Sequence, residues 1–494
     1  MKLFVAKHPF KLLPLLFLLL MLSGTAMLAQ DMQYTTSSPE ARQLFVQGLT
    51  SFENIDYQKA LPLFDQAIQK DPGFAMAYLH KSLAETDPVK SREAREKGVS
   101  LRDKVSEGEQ VFIDATVALA KGETEKSISL ADRLATMFPT DKHVQLIAAY
   151  TTLNLNDAKK ALDYATKTIA IDKNFAPAYN VLGYAQINTG DLEGAEKSLK
   201  TYVTLVPDQP NPHDSYAELL LTVGKYDESI QHYTMALKLD PSFYPSDFGI
   251  GHNYAFKGDF ARAREYYKKG IEAAHSTPGQ IEGLMWIATS YLHEGKTNEA
   301  VKALEERQAF AMEKERPASV TSYSMAGMAL IESGRPAEAM KYYDKAADAL
   351  KTAKLTDNER TLLKNRFESA RAYALAANHQ FDAARAEIEK AKPNVEKRND
   401  PNEMQDFHTL IGLVESEAGN TDEALNNFSL GDPLNTVNTF HWALALEKKG
   451  NNAKAQELFN KVAKNNRPDF GLALVRTRAI EKSGGLQAGH PDVK

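Results

Sequence analysis

The sequence predicts an all-α chain: an α-α superhelical solenoid of about twelve helix hairpins, ending in a C-terminal capping helix. Three observations predict it. One pattern recurs at a constant period, because Gly183, Ala217 and Gly251 are spaced 34 residues apart. Each copy holds two stretches with apolar residues at helical spacing, Tyr179, Leu182, Gly183 and Gln186 in one and Leu192, Ala195, Leu199 and Tyr202 in the next. A glycine separates the two stretches at Gly190, Gly224 and Gly258, with a small residue five positions on at Ala195, Ser229 and Ala263.

The punctuation has a physical reading. Gly190 stands where one helix must stop, since a left-handed residue costs glycine little, and Asp191 is placed to cap the next helix. Gly183 and Ala195 are small, so the two helices can approach closely while Tyr179, Leu182 and Leu199 fill the space around them. Pro207 and Pro241 each end a copy, as proline cannot continue a helix interior.

These residues carry a family resemblance. Tyr179, Leu182, Gly183, Ala195, Leu199 and Pro207, and again Ile250, Gly251, Tyr254, Ala263 and Tyr267, stand at the offsets of a tetratricopeptide repeat, and the chain resembles that family. The hairpins are therefore expected to be TPR-like.

Taken in order, residues 1–29 read as a secretory signal. Lys2, Lys7 and Lys11 precede an apolar run from Leu12 to Leu22, and small residues follow at Gly24, Ala26 and Ala29. An uncleaved anchor is the competing reading; Pro14, Ser23, Gly24 and Thr25 shorten the apolar core and favour cleavage. Residues 30–40 are expected to be a disordered lead-in.

An N-terminal array is expected over 41–310. Its first copy (Leu44, Gly48, Ala60, Phe64) lacks the turn glycine, its second is degenerate and charged around Lys90 to Lys104, and its fourth has lost turn residues while keeping Ala148 and Ala161. A C-terminal array over 320–466 continues it, with charged or proline-bearing insertions at Met312 to Ser319, Lys351 to Asn358 and Lys392 to Glu403. Residues 467–483 are expected to form the capping helix, with Phe470, Leu472, Ala473, Val475 and Ala479 on one side and Arg476, Arg478, Glu481 and Lys482 toward the other. Residues 484–494 read as a tail.

Composition narrows function. The chain has no cysteine, which excludes disulfides, thiol catalysis and cysteine metal sites. Its 65 acidic residues outnumber 59 basic ones, and removing Lys2, Lys7 and Lys11 with the signal leaves 65 against 56, or −9. Such a surface repels polyanions, so no nucleic-acid partner is expected. No membrane span is expected once the signal is removed.

No phosphate loop, nucleophile elbow, zinc helix or calcium loop occurs. Gly249 and Gly251 form a G-x-G that the repeat already explains, and His252 with His293 lack a third ligand. The chain is therefore read as non-enzymatic, with no metal and no cofactor.

The resemblance implies more than composition does. In the family the first helix of each hairpin lines a concave groove, and its groove-facing offsets map here onto Phe45, Leu49, Phe112, Tyr184, Phe248, His252, Met285, Tyr373 and Phe440. Co-chaperone members grip a carboxylate with Lys and Asn four apart. Those offsets hold Asn180 with Tyr184, Phe248 with His252 and Phe45 with Leu49, so that clamp is missing.

The expectation is an exported protein-protein interaction scaffold, periplasmic or secreted, binding a peptide or partner helix in the groove. The alternative is a structural or assembly component of an envelope complex that uses its convex face or its charged inter-repeat loops.

Overall fold

The computed structural model describes residues 31–484 apart from 315, 317, 354, 356 and 399. The expected signal at 1–29 and nearly all of the tail lie outside the described residues. Among the described residues there are 25 α-helices and no strand.

Four hairpins come first: α1 (Pro39–Glu53) with α2 (Tyr57–Lys70), α3 (Ala75–Ala84) with α4 (Pro88–Val99), α5 (Glu107–Lys121) with α6 (Thr124–Met137), and α7 (Lys142–Asn154) with α8 (Ala158–Ile171). The regular middle pairs α9 (Ala176–Thr189) with α10 (Leu192–Leu205), α11 (Pro210–Thr222) with α12 (Tyr226–Leu239), and α13 (Pro245–Phe256) with α14 (Phe260–Ala273). Then follow α15 (Thr277–His293) with α16 (Thr297–Glu313), α17 (Ala318–Glu332) with α18 (Pro336–Thr352), and α19 (Asp357–Ala377) with α20 (Phe381–Arg398). The last are α21 (Pro401–Glu417) with α22 (Thr421–Leu430) and α23 (Thr436–Lys448) with α24 (Asn452–Ala463), followed by the single helix α25 (Phe470–Lys482). Twelve hairpins stand where twelve copies were expected.

The turns show why the pattern works. All eight turn glycines, from Gly122 to Gly450, have φ between 70° and 85°, a left-handed conformation that lets the chain reverse in few residues. In three of the four hairpin turns without glycine, Ile55, Asn156 and His379 take φ of 63°, 64° and 61°. The second helix is then capped from within the turn: Asp191 accepts the Gly194 N–H at 3.0 Å and Asp259 the Arg262 N–H at 3.1 Å. Of the insertions, Lys392 to Glu403 is largely helix, because α20 runs through Pro393 to Arg398.

The lead-in corrects an expectation. Residues 31–38 are laid along the N-terminal ends of the first helices, where Met32 donates its N–H to Asp141 at 2.8 Å and Thr35 donates its N–H to Glu109 at 2.8 Å. Met32 is buried and the Tyr34 ring meets Phe45 edge-on at 4.8 Å. Two apolar anchors and backbone bonds to buried carboxylates outweigh the polar composition that suggested disorder.

Hairpins stack with their first helices side by side: α7 touches α9, α11 touches α13, α17 touches α19 and α19 touches α21, while no two second helices pack as closely. The array therefore curves with its first helices on the inside. The curve also closes on itself. Arg316 pairs with Asp87 at 2.7 Å, the Thr124 hydroxyl donates to Asp400 at 2.6 Å, and the Tyr226 hydroxyl donates to Asn466 at 3.0 Å. These contacts join segments more than two hundred residues apart in sequence.

Candidate functional site: the inner face

The inner face is the site to weigh, because each first helix presents one side to it. Nine residues were expected there. The structure buries six of them: Phe45, Leu49, Phe112, Phe248, Tyr373 and Phe440 are all under 5% exposed. Each is packed among its neighbours, although Phe112 and Tyr373 also border hollows between the helices. Phe45 meets Phe64, Phe74 and His80, Phe112 stacks on His80 at 5.2 Å, and Phe440 meets Phe459 at 5.7 Å. Phe248 fills the space over Gly270 and Gly283, where a Cβ would come within 2.3 Å and 2.9 Å of its ring. Stacked first helices are close enough that large side chains at these offsets pack between hairpins.

Tyr184, His252 and Met285 are half-buried and keep some inward surface. Tyr184 donates its hydroxyl at 2.7 Å to Glu218, which lies one period of 34 residues further on. Beside it Asp214 accepts from the Ser246 hydroxyl at 2.6 Å; burial, reinforced by Glu218, raises its carboxyl to about 7 against that hydrogen bond. His252 shares a 2.9 Å hydrogen bond with the Tyr267 hydroxyl and meets the Trp286 ring at 4.4 Å, and burial lowers it to about 3. Burial likewise lowers His293 to about 3, with Arg476 adding to the effect. Both imidazoles are neutral near pH 7.

Among the described residues no group of three or more His, Cys, Asp and Glu is arranged to hold a metal. No helix among them is long and apolar enough to cross a membrane.

Two hollows open on the inner face. The N-terminal one, about 200 Å³, is bounded by α1, α3, α5 and α7, with Tyr57 of α2 and Ser127, Ala131 and Leu134 of α6 behind them, and has Phe52, Leu83, Phe112, Leu119 and Ile147 among its walls. Leu83 and Leu119 are 38% and 39% exposed there, unusual for leucines inside a curve. The second hollow, about 910 Å³, lies between α17, α21, α23 and the start of α25.

Between them the trough is occupied by the chain itself. α25 lies against α15, α17 and α23, with Phe470, Ala473 and Leu474 meeting Tyr291, Leu292 and Ala329. Its two arginines, on the side of α25 away from the apolar residues, both pack over aromatic rings. Arg476 is 6% exposed and covers the Phe256 ring at 4.9 Å, while Arg478 covers the Phe440 ring at 4.8 Å and forms an ion pair with Glu332.

Glu332 is the functional-looking residue that pattern reading missed. Its side chain is buried and gathers Arg478, His441 at 3.1 Å and the Tyr373 hydroxyl at 3.2 Å. One signal marked it: an acid closing a helix sits against the macrodipole and needs a cation.

Tetratricopeptide repeat profiles match residues 287–353, and residues 176–209 with 248–275. Tetratricopeptide repeat protein 13 of Homo sapiens is 25% identical over 197 residues, covering 37% of this chain and 22% of that protein. Anaphase-promoting complex subunit 7 of Arabidopsis thaliana is 25% identical over 150 residues, covering 30% and 26%. The chain thus spans about a quarter of the length of these curated relatives. A solved tetratricopeptide repeat protein from Parabacteroides merdae shares 14% identity with a TM-score of 0.36, covering 55% of this chain and 94% of that one. YrrB, described as a TPR protein with an unusual peptide-binding site, shares 16% identity with a TM-score of 0.26, covering 42% and 91%.

Proposed function

Because the chain is a tetratricopeptide repeat protein, we propose that it is an exported, non-enzymatic scaffold that holds a protein segment against its inner face. One observation carries this reading: the N-terminal hollow, where leucines stay exposed on the concave side of a folded array. Isolated exposed leucines are ordinary, but two of them converging on an apolar pocket form a surface that a partner's side chains can fill. Curated relatives include subunits of the anaphase-promoting complex, an assembly of proteins, which agrees with a scaffold. Export rests on the composition of residues 1–29.

The test is capture of partners from the cell of origin by the intact protein and by Leu83→Asp and Leu119→Asp variants. The reading expects a partner that is lost with both variants while the helical signal stays the same. A partner profile identical for all three proteins would overturn it. The alternative, assembly through the convex face or the charged loops, is supported by Met312, which is 62% exposed beside an inter-repeat loop; Met312→Glu would then remove the partner that the leucine variants keep.

A further inference from the structure

We infer that the second hollow is a docking site for a basic, leucine-bearing segment of a partner polypeptide. The inference rests on the inner-face reading above and deepens it by giving the partner a chemistry.

The hollow has about 910 Å³ of space, enough for several side chains. Its walls are apolar, with Met325 and Met328 from α17, Leu410 and Leu413 from α21, and Leu474 from α25. Its rim is not. Asp400, Glu403, Asp406, Asp432 and Asp469 line it against one cation, Arg398, which Glu403 already holds at 2.6 Å.

Three of these carboxylates are oriented by neutral donors. Asp400 accepts the Thr124 hydroxyl at 2.6 Å and the Glu403 N–H at 2.9 Å. Asp432 accepts the Leu434 N–H at 2.8 Å, and Asp469 accepts the Leu472 N–H at 2.9 Å and the Thr436 hydroxyl at 3.2 Å. Neutral donors fix the positions of the oxygens without cancelling their charge. Apolar walls around uncancelled charge focus the negative potential into the hollow.

The adjoining stretch of trough shows what such walls accept. There α25 presents Phe470, Ala473 and Leu474 to apolar side chains and sends Arg478 to Glu332. Leu474 borders both the seat of α25 and the hollow, so the two are continuous. A partner segment carrying leucines and arginines repeats the chemistry the chain already uses on itself.

The probe is a short fluorescent peptide alternating arginine and leucine, with a second in which glutamate replaces each arginine. Anisotropy titrations use the full chain at physiological salt. The inference expects the arginine peptide to bind and the glutamate peptide not to bind. The double variant Asp432→Asn/Asp469→Asn should weaken binding by about tenfold, whereas Asp163→Asn/Glu193→Gln, which removes two exposed acids from second helices, should leave it unchanged. Equal weakening by both pairs would mean diffuse attraction to an acidic protein and would overturn the site. So would indifference to Asp432 and Asp469, or no binding at all. The leucine variants report separately: capture lost with Leu83→Asp while the peptide ignores Asp432 and Asp469 leaves the scaffold standing and removes only the cationic chemistry.

Discussion

Gly183 lies directly beneath Leu199: a Cβ built on the glycine would stand 2.6 Å from Leu199 Cγ. The same relation, sixteen residues apart, joins Gly48 to Phe64, Gly251 to Tyr267, Gly327 to Tyr343 and Gly412 to Phe428. A large side chain on the second helix thus rests on bare backbone of the first. Gly183→Ala gains about 1 kcal/mol of helix propensity but forces a fully buried leucine aside, at about 1 to 3 kcal/mol. A net loss of about 1 kcal/mol is expected in urea melts. Coupling decides the cause: in the Leu199→Ala background the same change should become neutral or favourable.

The alanine one turn earlier on the second helix obeys the same rule. Ala195 is fully buried among Leu199, Leu219 and Leu220. Ala195→Leu should separate α9 from α10 and cost about 1 to 3 kcal/mol. An unchanged denaturation midpoint would contradict the close approach.

These local rules explain what was legible. Small residues, turn glycines and capping acids act within one hairpin or between neighbours, so a 34-residue period contains them and all twelve hairpins could be read. Closure was not legible, because Glu332 and Arg478 are 146 residues apart and meet only through the accumulated curvature of the array. The groove residues fell between these cases. The offsets implied by the family resemblance pointed to Tyr184, His252 and Met285, which stay half-buried, but they could not tell that Phe45 or Phe440 would be covered by an adjacent helix.

Ile55 offers a test of the turn chemistry. It holds φ of 63° where eight other turns use glycine, and left-handed backbone costs a β-branched residue on the order of 1 to 2 kcal/mol. Asn156 occupies the equivalent turn with φ of 64°. Ile55→Asn should therefore stabilise by about 1 kcal/mol and Asn156→Ile should destabilise by at least as much. Two shifts of the same sign in thermal unfolding would show that side-chain contacts, not backbone, dominate these turns.

Asp214 should make stability depend on pH in an unusual direction. Burial raises its carboxyl to about 7, above the 3.8 of an unfolded chain, so the folded state binds the proton more tightly. Its contribution is complete below about pH 4 and is lost as pH rises through about 7. Asp214→Asn should remove this loss, raising the melting temperature at pH 8 relative to the parent while changing it little at pH 4. A variant less stable at pH 8 would mean that the ionised carboxylate is held by more than the Ser246 hydroxyl.

Glu332 behaves in the opposite sense and tests the closure itself. Burial alone would raise its carboxyl, but His441 and Arg478 outweigh that and bring it from 4.5 to about 2. A depressed carboxyl stabilises above its unfolded value, and that stability is lost as pH falls from about 4.5 through about 2. Glu332→Gln should flatten this acid limb and leave Arg478 facing a neutral amide in the trough. Because Arg478 still reaches water, with 38% of its side chain exposed, the expected cost is about 3 kcal/mol, the low end for breaking a buried pair. The loss should be local first: trypsin should cut at exposed Lys464, in the segment just before α25, faster in the variant than in the parent. If cutting there is unchanged while global stability falls, α25 is held by its apolar face alone, and the Glu332 cluster serves the stacking of α17, α19 and α23 instead.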